Sequence, residues 1–125
     1  MLREEDRKFM DRKGWNWEAK KITFPNRVSE THVIVHDYRL PSKYFPDTVD
    51  LLARVLRGYP EVGLDMFWTR PHVVLITGAT PHAADRFEWH GNLLWQRWSR
   101  HLNDWRPEVD NFETFFASIA IGLKK

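Results

Sequence analysis

The chain has 125 residues, 42% hydrophobic and 29% charged, a length and balance that suit one domain and exclude a disordered chain. Its net charge of +2 is spread along the sequence, so nucleic acid is not implied, and no apolar run approaches the length needed to span a bilayer. The absence of cysteine excludes thiol nucleophiles, thiolate metal sites and disulfides, and with no apolar leader at the N-terminus the expected compartment is the cytoplasm.

A single domain is expected over residues 1–125, with 1–13 a short helix or mobile tail, since Leu2, Phe9 and Met10 share a helical face within a segment of alternating charge. After Gly14, the residues Trp15, Trp17, Ile22 and Phe24 predict a first strand that ends at Pro25 and Asn26. The β-branched and aromatic run His32 to Tyr38 predicts a second, stopped by Leu40 and Pro41. Thr48 to Leu56 fits a helix or a strand on periodicity alone, before a turn at Gly58, Tyr59 and Pro60. Val73 to Thr77 predicts another short strand, and Ala79 to Glu88 has the composition of a loop.

Phe87 to Pro107 holds four of the seven tryptophans and two of the six histidines. Polar Gln96, Arg97, Ser99, Arg100 and His101 interleave with the indoles there, a pattern that suits either a site or a core with solvated backs. His82, His90 and His101 have no close-set zinc spacing, and the glycines form no phosphate loop, so neither metal nor cofactor is expected. The chain closes on a predicted helix from Asp110 to Leu123. Asp110 and Glu113 have N-cap and N3 spacing, and Val109, Phe112, Phe116, Ile119 and Leu123 form the apolar face. There is no internal repeat.

Gly58-Tyr59-Pro60, then Phe67-Trp68-Thr69, then Trp105-Arg106-Pro107 followed by Ser118-Ile119 and Leu123, stand in an order that resembles the ubiquitin-conjugating enzyme superfamily. Leu40 to Tyr44, Leu64 to Trp68 and Trp95 to His101 resemble its prokaryotic family E. The resemblance implies an α+β fold with an antiparallel meander of about four strands, an irregular active-site loop and a C-terminal helix packed on the sheet, without the two further helices common in the superfamily. It implies a component of a conjugation pathway whose partners are a ubiquitin-like protein, an adenylating enzyme and a metallopeptidase.

Two superfamily features are missing: the acceptor cysteine, and the His-Pro-Asn tripeptide, for which Arg70-Pro71-His72 is a displaced echo. At the implied place of the active site stand Ser99 and His101 as nucleophile and base, with His90, Asn92 and Asn103 as supporting groups. In an extended segment residues 99 and 101 share a side, whereas in a helix they diverge; the alternative is that Ser99 caps or turns the chain while His101 packs beside Trp98. The exposed members of Trp95, Arg97, Trp98 and Arg100 are expected to contact the ubiquitin-like protein. Besides acyl transfer through a Ser99 oxyester, two readings stand: a non-catalytic binding module of the same fold, and, ranked last, a small hydrolase for which no third triad group is evident.

Overall fold

The acidic first turn and apolar stripe of α1 (Glu4–Arg12) make the N-terminal segment a helix, with Phe9 and Met10 buried beneath it. The computed structural model describes residues 2–100 and 104–125. The chain continues through β1 (Asn16–Thr23), β2 (Ser29–Arg39), the two-residue β3 (Tyr44–Phe45), β4 (Thr48–Val55), β5 (Phe67–Arg70), the two-residue β6 (Val74–Leu75), β7 (Arg86–His90), β8 (Leu93–Trp98) and α2 (Phe112–Lys124). Six strands form one sheet in the order β1-β2-β4-β5-β8-β7, every neighbour antiparallel, and β3 and β6 pair separately.

The molecule is α+β with the C-terminal helix on the sheet, as the sequence implies, and its main sheet is wider than the four strands expected. Thr48–Val55 is a strand because its β-branched and leucine residues meet two partners at once: Leu51 and Leu52 face Val35 and Ile34 on one side, and Thr69 and Trp68 on the other. The tryptophan-rich stretch adds two more strands. Between Val35 and Tyr38 the register of β2 slips by a bulge in which Asp37 adopts φ 55°, a left-handed conformation that a short polar side chain tolerates.

One face of the sheet carries Val33, Val35, Leu51, Ala53, Val55, Phe67 and Trp98, and the two helices close over it with Phe9, Met10, Phe112, Phe116, Ile119 and Leu123. Helix α2 begins one residue later than the sequence spacing suggests. Asn111 is the N-cap, its side chain accepting from the Thr114 amide at 3.1 Å while the Thr114 hydroxyl accepts from the Asn111 amide at 2.9 Å. Asp110 instead accepts from the Arg106 amide at 2.8 Å, and Val109 is left 49% exposed. The buried Asp6 carboxylate joins the two helices, accepting from the Phe112 amide at 3.1 Å and from the Tyr59 hydroxyl at 2.9 Å. The approach to α2 is anchored by Trp105, whose indole donates to the Pro60 carbonyl at 2.6 Å. A side chain at Gly63 would come within 2.3 Å of the Trp105 ring, so this turn needs glycine for its close approach to the indole.

Candidate functional site

Phe87 to Trp98 folds as a hairpin because a two-residue turn, Gly91 at φ 59° and Asn92 at φ 67°, matches the twist of the flanking strands. Strand alternation then sends the tryptophans of β8 to opposite faces. Trp95 is 2% exposed and packs with Ile34, Leu52 and Trp68; Trp98 is 0% exposed, stacks on Phe67 at 5.3 Å and donates to the Thr69 hydroxyl at 2.8 Å. Both are core, which removes Trp95 and Trp98 from the set expected to touch a partner: Trp98 lies in the core shared with the two helices, and Trp95 lies among Ile34, Leu52 and Trp68 with Arg70 over its ring.

Arg97 and Arg100 remain half-buried, and both serve as ties. Arg97 donates through Nε to the Ser99 hydroxyl oxygen at 2.8 Å and through a terminal nitrogen to Glu88 at 2.7 Å. Arg100 lies over the Trp98 ring at 4.9 Å and reaches the carbonyls of His82 and Gly122, both at 3.1 Å, so it joins the 81–84 turn to the end of α2. Ser99 itself follows β8 directly. Its amide donates to the Ala83 carbonyl at 2.8 Å, and its half-buried hydroxyl oxygen is held by Arg97. His101 and Asn103 lie outside the described residues.

The other two expected supporting groups are not beside Ser99. Asn92 forms the hairpin turn and His90 closes it, so the whole of β8 separates them from Ser99, roughly 20 Å at the ordinary strand rise. The sequence reading gathered them because it took this region as a loop, whereas an extended strand carries them to the far end. His90 instead lies 3.1 Å from Glu88, edge-on to Trp68 at 5.2 Å and to His32 at 5.7 Å.

These contacts belong to a polar network on the face of the sheet away from the helices, which sequence reasoning missed. Glu30 receives Arg54 through two nitrogens, the longer bond 2.8 Å, and His32 at 2.7 Å. Burial raises the Glu30 pKa, but Arg54 and His32 together outweigh it and hold the carboxylate below its ordinary value. Glu88 is pushed up by burial and brought below its ordinary value by the Trp68 indole at 2.9 Å, His90 and Arg97. His36 lies between Glu18 at 2.6 Å and Asp50 at 3.0 Å. The signal was present in the sequence: Glu30, His32, Ile34 and His36 alternate along one strand, a polar series where a face covered by a helix would have been apolar throughout.

Ser99 thus offers a positioned hydroxyl beside a guanidinium paired with Glu88, an arrangement that steadies negative charge on the oxygen but supplies no proton acceptor among the described residues. Among those residues no group of three His, Asp or Glu side chains is arranged to hold a metal ion, and no helix is long and apolar enough to cross a membrane. Neither the curated proteins nor the solved structures compared with the chain yield a match. The family model described as prokaryotic E2 family E matches residues 2–125, from one helix through the sheet to the other, and the chain belongs to that family.

Proposed function

We propose that the protein acts in a prokaryotic ubiquitin-like conjugation pathway as a binding component, receiving a ubiquitin-like protein from an adenylating enzyme without forming a thioester. The observation that carries this reading is the absence of any cysteine across a chain that matches the E2-like family over residues 2–125. The exposed parts of Arg97 and Arg100, together with Ser99, are the contact surface left once Trp95 and Trp98 are assigned to the core.

A second reading is favoured by one contact, the Arg97 Nε donating to the Ser99 hydroxyl oxygen. In this reading the Ser99 oxygen attacks the activated acyl carbon of the ubiquitin-like tail. An ester bond forms, the bond to the leaving group breaks, and the hydroxyl proton passes to His101. Incubation with the adenylating enzyme, ATP and the ubiquitin-like protein separates the two by intact mass. The binding reading expects a saturable complex and no covalent adduct. The oxyester reading expects an adduct that resists thiols, is cleaved by mild base and disappears in Ser99→Ala. If neither complex nor adduct forms while the adenylating enzyme is charged, both readings fail.

A further inference from the structure

The two outer strands of the main sheet end it in different ways. On β1, Lys20 and Lys21 are exposed, and lysine on an edge strand discourages another strand from adding to it. On β7 the exposed residues are Arg86 on one face and, on the other, Phe87, at 44%, and Trp89, at 71%, with Leu94 of β8, at 43%, beside them. Phe87 and Trp89 are also the residues whose backbone faces outward. The two-residue turn makes His90 and Leu93 a hydrogen-bonded pair, and alternation from there makes Glu88–Trp95 and Arg86–Arg97 the next such pairs. The amides and carbonyls of Phe87 and Trp89 therefore point away from β8, along the open edge.

We propose that β7 pairs antiparallel with β7 of a second copy of this chain, about a two-fold axis through Glu88, joining the two main sheets into one. In this register Phe87 of each copy stands opposite Trp89 of the other. The outward amides and carbonyls meet one another, and both aromatic side chains on each strand gain an aromatic neighbour. A shift by two residues in either direction leaves one aromatic opposite Asp85 or Gly91, so the sequence itself selects this pairing. The two Glu88 residues at the axis lie on the opposite face, each already bonded to its own Arg97 and Trp68, which reduces their mutual repulsion. The occupant is a second copy because the strand complements itself in its outward backbone groups and its aromatic side chains.

The cysteine-free chain makes the test clean. Light scattering and sedimentation from micromolar to submillimolar concentration are expected to show a monomer converting to a dimer. Trp89→Lys places a charge in the seam, and Phe87→Pro removes an outward amide that β8 does not use; each is expected to weaken dimerisation by at least about tenfold while the hairpin stays folded. Opposed residues of a hydrogen-bonded pair have Cα atoms about 5.5 Å apart, within disulfide range. Oxidising a mixture of Phe87→Cys and Trp89→Cys chains should therefore yield the mixed disulfide, with neither variant linking to itself. A wild-type chain that stays monomeric throughout overturns the proposal and leaves the edge to a strand of another protein. Self-linked products in place of the mixed one overturn the register.

Discussion

On one face of the sheet, Val33, Val35, Leu51 and Phe67 lie beneath two helices. On the other, Ile34, Leu52, Trp68 and Trp95 lie beneath the long side chains of their own strands. Both groups are buried, but by different means. On the first face apolar area meets apolar area, whose stabilisation grows with surface removed from water and needs no particular geometry. On the second, guanidinium groups take the place of a helix: Arg54 lies over the Trp68 ring at 5.4 Å and Arg70 over the Trp95 ring at 5.9 Å, while Glu30 ties down Arg54 and Glu88 ties down Arg97 and the Trp68 indole. A cover of this kind depends on every partner being present, because a buried charge that loses its counterion costs more than the pair contributed. The face away from the helices is therefore held together by directional bonds.

The largest expected effect breaks the first face. Phe116 is in ring contact with Trp15 at 4.8 Å, Phe115 at 5.6 Å, Tyr38 at 6.1 Å and Phe9 at 6.2 Å, so Phe116→Ala empties the junction of α1, β2 and α2. Urea unfolding should show a loss of about 3 to 5 kcal/mol. A loss below about 1 kcal/mol would mean that α2 adds little to the core. A smaller effect is expected on the second face. Glu30→Ala removes the anion shared by Arg54 and His32, and because the Arg54 side chain keeps 29% exposure and can turn to water, the cost should be about 2 to 3 kcal/mol. If this loss equals that of Phe116→Ala, the polar cover matters as much as a helix and the contrast between the faces dissolves.

What was legible in the sequence was the part governed by local periodicity. The apolar spacing of Phe112, Phe116, Ile119 and Leu123 needs only 3.6 residues per turn to read as a helix, and all four are buried. The β-branched run at His32 to Tyr38 needs only alternation, and it is β2. The hairpin was hidden because the stretch that holds its strongest strand formers, Phe87, Trp89, Trp95 and Trp98, suited a site and a core equally, and its turn, Gly91-Asn92, is short. The placement of Trp95 and Trp98 depended on which strands lie beside β8, and that is fixed by chain topology rather than by any neighbour in sequence. Ser99 directly follows β8, and its Arg97 partner was assigned to a binding partner because residues two apart share a face only once the segment is known to be extended.

The smallest expected effect separates two histidines on the second face of the same strand. His36 is held above its ordinary value of 6.5 chiefly by its bond to Glu18, with burial opposing and Asp50 assisting. As pH falls, the folded chain takes up this proton before the unfolded chain does. The stability it contributes is thus fully present below 6.5 and is lost as pH rises through the higher folded value. His32 is held below 6.5 by burial, which outweighs the bond to Glu30, and there the order reverses. The unfolded chain protonates first, so stability falls as pH drops below 6.5 toward the folded value. Unfolding free energies of the wild type, His36→Gln and His32→Gln between about pH 5 and about pH 9 should show the two contributions sloping in opposite directions. The His36 contribution should be below about 1 kcal/mol, since that side chain is 27% exposed and its pair is partly screened. Slopes of the same sign would mean that the Glu18–His36–Asp50 triad and the Glu30–His32 pair are not what sets the protonation of this face.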